Sequence, residues 1–206
     1  MKNKILDLIM NNIKKYYSYD ETKLKEIRYG LESLYLSIFK VIVILIISFF
    51  IHTTKELCLL FIFYGILRLT AFGLHTKNSI QCWLSSISVF SLIPYLIKKI
   101  IINNYILYPI LIICLILIII YAPADTEKRP LIRKKKRIIY KVLSSIIVSI
   151  YIVYILLTNN SYIHNILFFS IILQTILILP ITYKIYGLKY ANYKLYKGKE
   201  VKKWNY

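Results

Sequence analysis

Acidic residues are scarce in this chain: nine Asp and Glu stand against 28 Lys and Arg in 206 residues. Its three cysteines fall in three different segments, which argues against a disulfide framework. No HExxH metal motif and no Asp-His-His-Cys motif occurs, so two familiar membrane-enzyme signatures are missing. No cleavable signal peptide is expected, since the first 30 residues hold charges throughout and no small-residue cleavage site follows a short apolar core. What is present is mostly apolar. The chain is 58% hydrophobic and contains the runs KVIVILIISFFI and ILIICLILIIIYA. A soluble domain of this length does not need such runs, whereas a transmembrane helix does.

The fold class that follows is an all-α polytopic membrane protein. Six spans are expected, at 34–51, 56–72, 81–97, 105–122, 138–158 and 164–183. The third is the weakest, being interrupted by Pro94 and diluted by Ser85, Ser86, Ser88 and Ser91. Such residues are tolerated where neighbouring helices satisfy the backbone. Residues 1–206 then form one membrane domain: interfacial helices in 1–32, a core over 34–183 and a basic tail over 184–206. Basic residues cluster before span 1, between spans 4 and 5 and after span 6, while the opposite loops hold only Lys55, Lys98 and Lys99. The positive-inside rule places both termini and the 73–80 loop in the cytoplasm.

Two amphipathic helices are expected before span 1. In the first, Ile5, Leu8, Ile9, Ile13 and Tyr16 share a face that Lys4, Lys14 and Lys15 avoid, a pattern suited to the headgroup region. The second starts at Ser18 with Glu21 in capping-box spacing and continues through Leu24, Ile27 and Leu31. They read as an anchor or as a partner-binding surface.

The stretch RLTAFGLHTKNSIQC, Arg68 to Cys82, departs from this oily background. On one continuous helix His75 and Cys82 would share a face but lie about 10.5 Å apart along the axis. A nucleophile and its base need roughly 2.6–3.2 Å, so a dyad requires a break between them. Gly73 permits unusual backbone angles, and Asn78 and Ser79 are both suitable N-caps. With Ser79 as N-cap, Cys82 becomes the third residue of the next helix, where the dipole favours the thiolate. A structural reading stands beside this one, because cysteine is often a small buried hydrophobe and a surface histidine is often only solvated. For His52, His164, Cys58 and Cys114 the structural reading is preferred.

The same stretch, with Gly73, His75, Ser79 and Cys82 in that order, resembles the accessory gene regulator protein B family, membrane-embedded cysteine endopeptidases of low-GC Gram-positive bacteria. YAPADTEKRPL, residues 121–131, resembles the family's Pro-Ala-Asp signature and the basic stretch after it. Chain length, six-span layout and amphipathic start agree as well. The sequence departs at Phe72-Gly73, where many members have paired glycines. The resemblance implies Cys82 as nucleophile and His75 as general base, supported by Arg68, Gly73 and Ser79. Arg68 could bind a substrate carboxylate, Gly73 shapes the turn and Ser79 caps the helix. It further implies a quorum-sensing propeptide as substrate, with an amphipathic leader, a central Cys or Ser and an acidic tail. Cys82 would cleave before the tail, and the substrate's own nucleophile would close a thiolactone or lactone ring. A homodimer is implied; no metal, cofactor or nucleic acid is.

Seven Lys and Arg occupy the eleven residues EKRPLIRKKKR, and the tail from Lys184 adds seven more. Lys128, Arg129, Arg133, Lys134, Lys135, Lys136 and Arg137 are candidates to attract the acidic tail. Setting topology and binding anionic lipid explain them equally well. Asp125 could orient His75 or cap the loop after Pro123, and the cap is preferred. Two rivals belong to other classes. A peptide transporter is disfavoured by the absence of charge at the centres of spans 1, 4, 5 and 6. A lipid-binding scaffold would leave the Cys82–His75 spacing unexplained.

Overall fold

A computed structural model describes residues 2–17, 19–75, 78–100, 102–127 and 130–196, with Ser79 described through its backbone only. Among these residues the helices are α1 (Lys2–Tyr16), α2 (Glu21–Phe50), α3 (Thr54–Ala71), α4 (Ser79–Lys99), α5 (Asn104–Tyr121), α6 (Lys134–Leu157), α7 (Ser161–Ile178) and the short α8 (Pro180–Ile185), followed by a 3-10 turn at Asn192–Tyr196. The all-α polytopic class holds. Five helices, α2, α4, α5, α6 and α7, are long and apolar enough to cross a bilayer. The remaining expected span, the second (56–72), is α3, which has 18 residues but carries Lys55, Glu56 and Arg68. It sits inside the bundle, packed against α4, α6 and α7.

Sequence expectation and structure differ at several helix boundaries. The second amphipathic segment and the first span are one 30-residue helix, α2, about 45 Å long. That exceeds a hydrocarbon core of about 30 Å, so its polar first turns extend beyond the apolar part. Its N-cap is Asp20, which accepts from Glu21 N–H at 2.8 Å; Ser18 lies outside the described residues. The last span ends at Ile178, because Leu179 is extended ahead of Pro180. In α4, by contrast, the helix runs unbroken through Pro94.

Helix α1 packs on α2 through Leu6 and Met10, and Arg28 pairs with Asp7 at 2.9 Å. The apolar residues expected to share a face, among them Ile5, Leu8, Ile9 and Tyr16, are left exposed. The bundle centre is α7, whose Ile166, Leu167, Ile171 and Ile178 are buried against Leu60, Leu67, Leu111 and Ile118 from α3 and α5. Outward-facing Ile112, Ile116, Ile146, Ile150 and Leu157 stay exposed, as residues solvated by hydrocarbon should.

Cross-bonds fix which loops share an end. The Lys98 ammonium donates to His52 O at 2.6 Å, and Asn165 Nδ2 donates to Ile97 O at 3.3 Å. Lys55, Lys98 and Lys99 therefore gather at one end. The opposite end collects the C-termini of α3, α5 and α7, which carry both sequence signatures.

Candidate functional site

Two peptide segments far apart in sequence are paired at this end. Gly73 N–H donates to Ala124 O at 2.9 Å, and Ala124 N–H donates to Ala71 O at 3.0 Å. Phe72 and Ala124 thereby form a parallel bridge. Leu74 N–H continues the contact onto Leu177 O at 2.9 Å, satisfying a carbonyl at the end of α7. The arginine window and the Pro-Ala-Asp segment are thus two sides of one structure.

Gly73 is required here on two counts. Its φ is +117°, a backbone region that L side chains rarely adopt, and a Cβ would meet Arg68 Nη1 at 2.4 Å and Leu177 O at 2.9 Å. Phe72, where the resemblance expects a second glycine, takes φ 55° and ψ −129°. Its ring packs edge-on against Tyr140 at 4.9 Å. That contact explains how a side chain is held where glycine is easier.

The Arg68 guanidinium donates to Phe72 O at 2.7 Å, Gly73 O at 3.3 Å and also to Leu74 O. Gln174 Nε2 adds a second donor to Phe72 O at 2.7 Å. Arg68 therefore staples the turn, a contact that stands beside the substrate-carboxylate role the resemblance implies for it. A planar guanidinium, with donors spread over two terminal nitrogens, suits three successive carbonyls better than a point-like ammonium.

Beyond the turn the described residues are not helical: α3 ends at Ala71, and α4 begins at Ser79. His75 lies in this non-helical stretch and is exposed. The cap of α4 is Asn78, whose side chain accepts from Ile80 N–H at 3.0 Å, so Ser79 is the first helical residue and not the cap. Cys82 follows one position later in the helix than expected, its N–H bonded to Asn78 O at 3.1 Å. It is a free, half-buried cysteine.

The partner of Cys82 was not found in the sequence. Lys40 Nζ lies 3.6 Å from Cys82 Sγ and 3.2 Å from Ser86 Oγ. Phe39 packs on Trp83 at 5.8 Å beside the pair, fastening α2 to α4. Lys40 opens the run KVIVILIISFFI and falls inside the expected span 34–51, where no sequence pattern assigns it a role; the available signal was a lone cation between Phe39 and Val41. Ser85 Oγ meets Tyr186 Oη at 3.0 Å, bringing the segment after α8 to the same helix.

Asp125 is buried and holds loops together. Its carboxylate accepts from Asn192 N–H at 2.9 Å, Tyr193 N–H at 2.8 Å and Leu131 N–H at 3.3 Å. The preferred loop-holding role is what the geometry displays. Burial raises the hydroxyls of Tyr183 and Tyr190, the latter to about 12. Both stay protonated and donate, to Asp125 O at 3.0 Å and Tyr121 O at 3.3 Å respectively. The described part of the basic tail, as far as Tyr196, is therefore folded onto the loop after α5.

Among the basic candidates, Arg133, Lys134, Lys135 and Lys136 are exposed at the start of α6, and Arg137 stacks on the Tyr193 ring with Cζ 3.5 Å from the centroid. Lys128 and Arg129 lie outside the described residues. The other cysteines and histidines keep structural positions: Cys114 is buried in α5, Cys58 is exposed on α3, and His164 Nε2 meets Thr158 Oγ1 at 2.9 Å. His52 is in the turn between α2 and α3.

Residues 3–178 match the family model described as Accessory gene regulator B. An AgrB-like protein of Clostridium acetobutylicum is 32% identical over 190 residues, covering 92% of this chain and 91% of the relative. The accessory gene regulator protein B of Staphylococcus epidermidis is 33% identical over 79% of this chain and 82% of its own length. That of Staphylococcus aureus strain JH9 is 31% identical over 87% and 94%. No solved structure matches the chain. With the family model spanning most of its length and relatives matched nearly end to end, the chain belongs to the accessory gene regulator protein B family, as a multi-pass membrane protein.

Proposed function

We propose that this protein is a membrane-embedded cysteine endopeptidase that removes the acidic tail of a quorum-sensing propeptide and cyclises what remains. The observation that carries this reading is the setting of Cys82. Its sulfur sits in the opening turns of α4 against an ammonium group, and His75 lies outside that helix, ahead of its start. A cysteine in such an electropositive, partly exposed setting has the surroundings of a nucleophile; one packed only as a small hydrophobe does not.

In this reading His75 accepts the thiol proton and Cys82 attacks the peptide bond before the tail, giving a thioester. The tail leaves as an amine. An internal cysteine of the substrate then displaces Cys82 and closes a thiolactone, or a serine closes a lactone. Exchange of one thioester for another costs little, so the site needs mainly to exclude water and hold the second nucleophile near. Helix α2, packed beside α4, and α1, packed on α2, could shield it.

The orientation belongs to the same proposal: both termini and the site face the cytoplasm of a Gram-positive cell. The end bearing Cys82 also carries Arg133 to Arg137 and the segment from Lys184, which supports this sidedness. Four exposed cations at the start of α6 oppose that helix's dipole. An acidic propeptide tail or anionic lipid would relieve that opposition. A homodimer completes the reading.

The test is processing of the propeptide by membranes containing Cys82→Ala, Cys82→Ser or His75→Ala, with membrane abundance measured alongside. All three should be inserted normally and inactive, and Cys58→Ala and Cys114→Ala should process normally. Full processing by Cys82→Ala would remove the peptidase reading and leave a transporter or scaffold.

A further inference from the structure

The ammonium of Lys40 has no part in a cysteine–histidine dyad, yet it is the group the structure puts against the sulfur. A lysine in an apolar helix usually extends its chain toward the headgroups, where water and phosphate solvate the charge. Lys40 does otherwise. It is half-buried, and Nζ takes Cys82 Sγ at 3.6 Å and Ser86 Oγ at 3.2 Å from the neighbouring helix. Among the described residues no carboxylate pairs with it; the ion pairs are Lys2–Glu32, Lys25–Glu21 and Arg28–Asp7. A half-buried cation whose contacts are a hydroxyl and a sulfur lacks a counter-charge. Of those two contacts only the thiol of Cys82 is a nucleophile whose reactive form is an anion.

We propose that Lys40 is a further catalytic residue, the ionic partner that holds the Cys82 thiolate and then the oxyanion formed from the scissile carbonyl. The proposal rests on the peptidase reading above and deepens it. The thiol proton passes to His75. Cys82 Sγ then attacks the carbonyl carbon, the C–S bond forms, and the carbonyl electron pair moves to oxygen as an oxyanion. When that oxyanion collapses, the C–N bond breaks and the departing nitrogen takes the proton from His75. Lys40 stays protonated throughout and ends beside a neutral thioester. Its three N–H donors allow Ser86 to keep it aimed while the other contact shifts from sulfur toward oxygen. Ser86, one helical turn after Cys82, is thus a positioning residue.

The experiment uses full-length protein carrying Cys58→Ala and Cys114→Ala, so that Cys82 is the only thiol. Two rates are measured for Lys40→Met, Lys40→Gln and Lys40→Arg: alkylation of Cys82 by uncharged iodoacetamide, and single-turnover acylation by the propeptide. Both neutral variants should lose at least about tenfold in both rates, as removal of a preorganised charge donor does. Lys40→Arg should retain most of each. A purely structural lysine would not slow the reaction of a small neutral reagent with the sulfur. Neutral variants that alkylate and acylate at the parent rate would overturn the proposal, while an inactive Cys82→Ala would leave the peptidase reading intact. Processing by Cys82→Ala would instead remove that reading itself. If both neutral variants fail to accumulate in the membrane while Lys40→Arg does, Lys40 is a structural residue and the proposal falls.

Discussion

Gly73 gives its N–H to the carbonyl of Ala124 at 2.9 Å, and Ala124 returns its own N–H to Ala71. Through these two bonds the ends of α3 and α5 become one platform, from which the chain leads through His75 to α4 and Cys82. Because Arg68 clamps the same turn, a change in its geometry should reach the site without touching either proposed reacting residue.

Gly73→Ala is therefore expected to destabilise the protein by roughly 1–3 kcal/mol, combining a positive-φ penalty with a Cβ that meets Arg68 and Leu177. Thermal unfolding in detergent measures this. Arg68→Lys should lower stability in the same assay, because a compact ammonium does not reach carbonyls that are spread across both terminal nitrogens of the guanidinium. An unchanged midpoint with a raised KM would return Arg68 to a substrate carboxylate.

Asp125→Asn keeps the size of the side chain but leaves one acceptor oxygen where two now receive three backbone N–H groups. A loss of about 1–3 kcal/mol is expected for the freed donors. Amide exchange at Asn192 and Tyr193 should accelerate. Slowed processing with unchanged exchange would mean that Asp125 serves the reaction and not the loop.

The exposed and stacked cations should separate. Neutralising Arg133, Lys134, Lys135 and Lys136 together should weaken propeptide binding more than turnover of bound substrate, and high salt should mimic the defect. Arg137→Gln should instead loosen the segment around Tyr193, whose ring it covers. Loss of membrane insertion in the fourfold variant would favour a purely topological role.

Sidedness can be read by labelling single cysteines with a membrane-impermeant reagent. Cysteines at 52–55 and 159 should react from outside, and those at 130–136 should not. External labelling of 130–136 would invert the orientation and move the site out of the cytoplasm.

Helices were legible because their apolar runs are long, and the break before Cys82 because glycine and asparagine mark it. Their limits were less so: α2 absorbed a helix expected to be separate, since nothing at Leu31 to Leu34 stops it. The pairing of Gly73 with Ala124 was not readable, as backbone bonds between distant segments leave no residue pattern. Lys40 was hidden for another reason. A single lysine within an apolar span carries no pattern that names its partner, and only the packing of α2 on α4 brings this one to a sulfur.

The most direct measurement is capture of the acyl-enzyme. Parent protein incubated with a propeptide whose internal cysteine is replaced by alanine can form the thioester but cannot close the ring. A hydroxylamine-sensitive adduct of the leader-containing fragment should accumulate on the peptide containing Cys82, and it should be absent from Cys82→Ala and His75→Ala. Tail release without any adduct, or an adduct that persists in Cys82→Ala, would contradict nucleophilic catalysis by this cysteine.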